Sequence, residues 1–195
     1  MDTNASRSDE DWELMWAPYD QPTYDWVLQA TQPEDVVLEI GAGDLRLALQ
    51  LARVARQVYA IEIHPELIER AIASRPQELP YNLTILPGDA QRAPFPAGVS
   101  AGVLLMRHCT HFKLYAEKLK AAGAQRLITN ARWRLGVEVI DLQAPRQPFA
   151  SVKIGRYACW CGAVGFVMGP AEDYTAEMDQ IVTEVSNCPN CAQGL

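Results

Sequence analysis

An apolar run, Val36-Val37-Leu38-Glu39-Ile40, stops at Gly41-Ala42-Gly43, after which Leu45, Ala48, Leu49 and Ala52 recur at helical spacing. Strand, glycine turn and amphipathic helix leave a chain few choices, because a strand apolar on both faces is hidden only inside a parallel sheet covered by helices. The pattern repeats. Val58-Tyr59-Ala60-Ile61-Glu62-Ile63 reads as a second strand, and His64-Pro65 opens a helix with Leu67, Ile68, Ala71 and Ile72 on one face. Leu83-Thr84-Ile85-Leu86, Gly102-Val103-Leu104-Leu105-Met106 and Arg126-Leu127-Ile128-Thr129 supply three more strands, with a helix over 112–122 before the last. Five strands mostly separated by helices predict an α/β fold with a doubly wound, mostly parallel sheet.

Residues 1–10 are small and polar and predict a disordered tail. Trp12, Trp16, Tyr19, Tyr24 and Trp26 crowd the next stretch around Pro18 and Pro22, which predicts two short helices and a kinked connector. They would form an aromatic flap on a core spanning 11–150. Further strands are expected over 137–142, 152–160 and 163–168, and a helix over 175–185. At 195 residues, 49% of them hydrophobic, the chain suits one full core. Seventeen Lys and Arg against 24 Asp and Glu give a net charge of -7, a field that repels polyanions and argues against nucleic acid as a partner. The first residues are acidic, and no stretch approaches the ~20 apolar residues of a membrane span, so no membrane partner and a cytoplasmic location are expected.

In an open α/β sheet, ligands bind beyond the carboxyl ends of the strands, where glycines admit the backbone close to the ligand and the next helix presents free N–H groups. Gly41, Glu62, Asp89 and the segment after Met106 should therefore meet. Glu62 is placed to accept from both hydroxyls of a ribose, and Asp89 from the exocyclic amine of an adenine. Two acids and a glycine turn suit a ribose, an adenine and a cationic or zwitterionic tail better than a pyrophosphate. A dinucleotide is the alternative, because Gly41-Ala42-Gly43 begins a Gly-x-Gly-x-x-Gly and Glu62 lies about 20 residues on. Arg46 stands where the third glycine of that motif belongs, too large for close helix-to-strand packing.

Val37-Leu38-Glu39-Ile40-Gly41-Ala42-Gly43 resembles the Glu-x-Gly-x-Gly motif of class I S-adenosylmethionine-dependent methyltransferases. Tyr59-Ala60-Ile61-Glu62 and Gly88-Asp89-Ala90 sit where that family keeps its ribose and adenine contacts. The likeness covers residues 36–106, and over 36–72 it is similar to rRNA adenine dimethyltransferases and isoaspartyl methyltransferases. It implies a Rossmann-like methyltransferase fold with S-adenosylmethionine as cofactor. The implied contacts are Glu39, Gly41, Ala42, Gly43, Glu62, Ile63, Asp89, Ala90 and Arg107, with Tyr19 and Tyr24 closing over them. Leu45 replaces a family glycine. Residues 133–152, with Pro145 and Pro148, do not read as the helix the family places there, so a rearranged sheet edge is expected.

Methyl transfer asks the protein to align the acceptor and remove its proton. The segment after the fourth strand reads Arg107-His108-Cys109-Thr110-His111-Phe112, without the Asn/Asp-x-Pro-Tyr/Phe motif that adenine dimethyltransferases carry there. With the acidic balance, this points to a small molecule or a protein side chain as acceptor. RNA methylation is an alternative, as is a non-catalytic cofactor-sensing or interaction protein. His108 and His111 are the candidate bases, because a neutral imidazole suits pH 7. A helix-capping role, with Thr110 as N-cap, competes with this.

Cys159-Trp160-Cys161 and Cys188-Pro189-Asn190-Cys191 bring four soft ligands in two short turns, which predicts a closed, structural zinc site in a C-terminal lobe, 151–195, packed on the core. If 152–160 and 163–168 end the main sheet, this zinc braces a wall of the acceptor pocket.

Overall fold

Among the residues that the computed structural model describes, 17–74, 78–133 and 136–193, Asp20 starts the first helix. Its carboxylate accepts from the Thr23 N–H at 3.1 Å, and helix α1 runs Gln21–Ala30. Pro22 lies in the first turn, where the missing amide hydrogen costs nothing, so this proline opens a helix and does not kink a connector. The other predicted N-terminal helix, with Trp12 and Trp16, lies outside the described residues, as does the 1–10 tail.

The chain divides into two units, Met1–Gln143 and Ala144–Leu195. The first holds β1 (Val36–Ile40), α2 (Arg46–Leu51), β2 (Gln57–Glu62), α3 (Pro65–Ala73), β3 (Leu83–Pro87), β4 (Ala101–Leu104), α4 (Phe112–Ala122), β5 (Arg126–Thr129) and β6 (Glu138–Asp141). Its sheet has the order β3-β2-β1-β4-β5-β6, with the first five strands parallel and β6 antiparallel to β5. Strand order reverses between β1 and β4, the position at which such sheets open a crevice at their carboxyl ends. Every residue of β1 and β4 is buried, as their unbroken apolar runs require. Leu67, Ile68 and Ala71 face the core from α3, but Ile72, expected beside them, is 44% exposed because it lies past the edge of the stripe.

Two contacts set the sheet's frame. Gly102 admits α4 directly onto β4, since a Cβ there would lie 2.4 Å from Leu119 Cδ1. At the amino ends of the strands, buried Asp35 accepts from Ser100 Oγ and the Gln32 N–H, both at 2.7 Å, and pairs with Arg126 on β5. The expected change at the sheet edge is present: β6 returns against β5 after a short loop. Buried Arg132 in that loop donates to Glu138 of β6 at 2.8 and 2.7 Å, and the Trp133 indole N–H donates to the same carboxylate at 3.2 Å.

In the second unit, β7 (Gly155–Cys159) and β8 (Val164–Val167) form the predicted hairpin. They are not the end of the main sheet: with β9 (Val182–Val185) they make a separate sheet of order β8-β7-β9. The helix expected over 175–185 is instead a 3-10 turn, Ala176–Asp179, followed by β9 parallel to β7. Val182, Thr183 and Val185 favour the pleat, and β7 supplies the partner. No helix among the described residues is long and apolar enough to cross a membrane.

Candidate active site and metal centre

The loop after β1 is shaped by positive φ angles at Gly41 (76°) and Gly43 (56°), the left-handed conformation that glycine adopts without strain. Leu45, where the family has its further glycine, holds φ 64°, so the backbone there keeps the glycine-like conformation. The Gly41 and Ala42 N–H groups both donate to the Ile61 carbonyl, at 2.9 and 3.0 Å, tying this loop to the end of β2. Glu62 completes the junction: its carboxylate accepts from the Gly43 N–H at 2.7 Å and the His64 N–H at 2.8 Å. Each oxygen keeps a lone pair for a further donor.

Beside this junction opens a cavity of about 260 Å³ lined by Gly41, Ile63, Gly88, Asp89, Ala90, Gln91, Met106, His111 and Tyr115, among others. A smaller one, about 40 Å³, is walled by Tyr19, Tyr24, Glu39, Gly41, Ala42, Asp44 and Arg46 among others. Glu39 is buried on β1, and its Oε2 makes no hydrogen bond. Burial pushes this carboxyl well above the usual range, and the negative charges of Glu62 and Asp44 push it further. A buried acid without a partner beside a glycine turn is the counterpart of a cationic group. These residues fit S-adenosylmethionine, whose ammonium tail would meet Glu39, whose ribose would meet Glu62 and whose adenine would meet Asp89.

The predicted residues separate at this point. Gly41, Ile63, Asp89, Ala90 and His111 share the larger cavity, while Tyr19, Tyr24, Glu39 and Ala42 share the smaller one. Gly43 and Glu62 hold the turn between loops. Arg107 and His108 line neither cavity. Arg107 is exposed, its guanidinium 4.9 Å from the Tyr19 ring centroid and its N–H donating to the Tyr19 hydroxyl at 3.2 Å, so it anchors the N-terminal segment. Thr110 is not the cap of α4: His111 takes that place, without a side-chain capping bond, and its Nδ1 lies 3.0 Å from Thr110 Oγ1. Tyr115 and Met106 were missed as lining residues. Helical spacing, four residues from His111, is the signal that finds Tyr115.

In the second unit the four cysteines converge. Sγ separations are 3.5 Å for Cys159–Cys191, 3.6 Å for Cys161–Cys188 and 3.9 Å for Cys188–Cys191, with all four sulfurs within 4.8 Å of one another. A tetrahedron with zinc–sulfur bonds of about 2.3 Å has edges of about 3.8 Å, and a disulfide needs about 2.05 Å. Burial pushes the Cys159 and Cys161 thiols up, a cost that a divalent cation reverses. The donor set therefore fits zinc with no open position.

Residues 37–129 match the family described as a methyltransferase domain. Among curated proteins, probable ribosomal RNA small subunit methyltransferases A of Methanosarcina mazei and Methanosarcina barkeri are 41% and 44% identical over 64 residues, 33% of this chain. The chain matches only 23% and 22% of the lengths of these relatives. A precorrin-8w decarboxylase from Methanobacterium thermoautotrophicum has a similar fold, with a TM-score of 0.50 and 24% identity over 58% of this chain and 64% of that one. The relatives named for ribosomal RNA overturn the expectation that nucleic acid is disfavoured. Net charge averages over the whole surface and hides local concentrations: Arg46, Arg53 and Arg70 line one groove of about 490 Å³ between α2 and α3. The motifs, the strand order and the family match agree that residues 37–129 have the fold and sequence pattern of a methyltransferase domain.

Proposed function

We propose that this chain transfers the methyl group of S-adenosylmethionine to RNA and carries a structural zinc ion on Cys159, Cys161, Cys188 and Cys191. One observation carries the cofactor reading: Glu39, Glu62 and Asp89 stand on or just beyond the carboxyl ends of adjacent strands, around one glycine turn and its cavities. Three acids of this kind repel a pyrophosphate and suit a cationic nucleoside. RNA as acceptor rests on the names of the relatives and on the arginine-lined groove.

Bound S-adenosylmethionine supplies an electrophilic methyl group, which an acceptor lone pair takes while the carbon–sulfur pair returns to sulfur. Glu39 would balance the ammonium, and Glu62, fixed by two backbone N–H groups, would accept from the ribose. Ile63 and Ala90, which line the same cavity as Asp89, would contact the base, and Asp89 would accept from its amine. His111, on the cavity wall, takes the acceptor's proton.

The test supplies methyl-labelled S-adenosylmethionine with small-subunit ribosomal RNA, and separately with protein and small-molecule fractions. Label that is acid-insoluble and ribonuclease-sensitive is expected. His111→Ala should cut it by roughly a hundredfold or more, with S-adenosylhomocysteine binding unchanged. Label confined to ribonuclease-resistant material rejects RNA as the acceptor, and an unimpaired His111→Ala rejects the base.

A further inference from the structure

Lys118 on α4 directs all three of its ammonium hydrogens at one loop. Its Nζ donates to the carbonyls of Ala90, Gln91 (3.0 Å) and Ala93 (2.8 Å), and it sits 4.4 Å from the centroid of the Phe95 ring. An ammonium has three donors and no acceptor, so the loop saturates it. The other half of that loop's backbone turns to Asp89. The Gln91 N–H donates to Asp89 Oδ1 at 2.8 Å, and the Arg92 and Ala93 N–H groups donate to the Asp89 carbonyl at 3.0 and 2.8 Å. Lysine on one side and aspartate on the other thus account for six backbone polar groups in the four residues 90–93. Asp89, Ala90 and Gln91 of this loop line the larger cavity.

The lysine reaches the loop from a helix that serves the same cavity. His111, Tyr115 and Lys118 are spaced four and three apart, which places them along one face of α4 from its cap onward, and the first two line the cavity. Burial without a facing carboxylate bond disfavours the charge of Lys118, while Asp89 favours it. A lysine so placed is costly as a surface residue and useful as a clamp.

Resting on the cofactor reading above, we infer that Lys118 is a positioning residue: by holding the carbonyls of Ala90, Gln91 and Ala93, it fixes the Asp89 carboxylate where it selects adenine by its exocyclic amine. Asp89 then owes its aim to α4, the helix whose cap is the proposed base, so the donor wall and the acceptor wall are set by one element.

The test titrates the full-length, zinc-replete protein with S-adenosylhomocysteine and with S-inosylhomocysteine, which carries an oxygen in place of the amine. Wild type should prefer the adenosyl ligand. In Lys118→Met, which keeps the stem and removes the donors, adenosyl affinity should fall on the order of tenfold, with inosyl affinity nearly unchanged, so that the preference collapses. A merely structural lysine would weaken both ligands alike and keep their ratio. A retained ratio therefore overturns the clamp, as does a wild type with no preference. A wild type that binds neither ligand overturns the methyltransferase reading itself. Should Lys118→Met fail to fold, Lys118→Arg is read the same way, with a smaller loss of preference expected. It keeps the charge, but its planar fork cannot serve three carbonyls as an ammonium does.

Discussion

Glu39 and Leu45 are residues the fold carries at a cost. Glu39 is 5% exposed, and its raised pKa means that the folded chain binds a proton which the unfolded chain releases above pH of about 4.3. Stability contributed by the neutral acid is therefore full below that pH and declines as pH rises toward the folded value. Glu39→Gln should remove the decline: its thermal midpoint should match wild type near pH 4 and exceed it at pH 7.5. Affinity for S-adenosylhomocysteine should fall by roughly ten- to a hundredfold, because a charge-assisted bond to the ammonium is lost. A variant that is less stable at every pH and binds normally would reject both the buried charge and its ligand. Leu45 is, among the described residues, the one non-glycine with positive φ, and it is fully buried. Leu45→Ala loses the packing and keeps the strain, whereas Leu45→Gly loses the packing and relieves the strain. In urea denaturation the glycine variant should be more stable than the alanine variant by about 1 kcal/mol, with both below wild type. The reverse order would show that the left-handed conformation costs nothing here.

Strand β6 closes the sheet through a pair that cannot be divided. The Arg132 side chain is 1% exposed and that of Glu138 is 20% exposed, and the Arg132 guanidinium also lies 5.6 Å from the centroid of the Phe112 ring at the start of α4. Glu138→Ala takes the carboxylate from a buried guanidinium and should cost about 3–5 kcal/mol in chemical denaturation. The double variant Arg132→Met/Glu138→Met should cost less than that single change, because no charge is left behind. A Glu138→Ala loss under about 1 kcal/mol would show that Arg132 finds water instead. The sheet edge also marks where the sequence becomes harder to read. β1 to β5 and α4 follow from runs such as 36–40 and 126–129 and from the spacing over 112–122, because a strand buried on both faces or a helix against a sheet writes its period locally. The same holds for Gly41, Glu62 and Asp89, which lie at or just past strand ends. β9 does not follow: 175–185 satisfies helix and strand patterns alike, and parallel pairing with β7, more than twenty residues earlier, decides the outcome. Lys118 was illegible for a related reason. Its partners are backbone carbonyls, which have no sequence signature.

Within the second unit, the buried cluster around the cysteines consists of Cys159, Val185 and Cys188, flanked by partly buried residues such as Phe149, Tyr157 and Ala163. Two of those three residues are proposed zinc ligands. About fifty residues with so small a core do not stabilise themselves by apolar burial alone, and a tetrathiolate site contributes about 10–16 kcal/mol when it binds zinc. β7 ends in Cys159, and β9 is followed within a few residues by Cys188, so metal and sheet depend on each other. The cofactor residues, by contrast, all fall within Met1–Gln143, whose core is built from β1, β2, α2 and their neighbours. The earlier expectation, that zinc braces the acceptor wall, required β7 and β8 to end the main sheet, and they do not. Chelation should therefore act on one unit and spare the other. Native mass spectrometry should find one zinc per chain. After its removal, hydrogen exchange should show protection lost across β7 and β9 and kept across β1 and β2, with S-adenosylhomocysteine affinity changing less than twofold. A chain without metal, or a β7 that stays protected once the metal is gone, would mean that Phe149 packed edge-on against Tyr157, their ring centroids 4.9 Å apart, and Arg146 stacked 3.8 Å from the centroid of the Trp160 ring hold this unit without an ion.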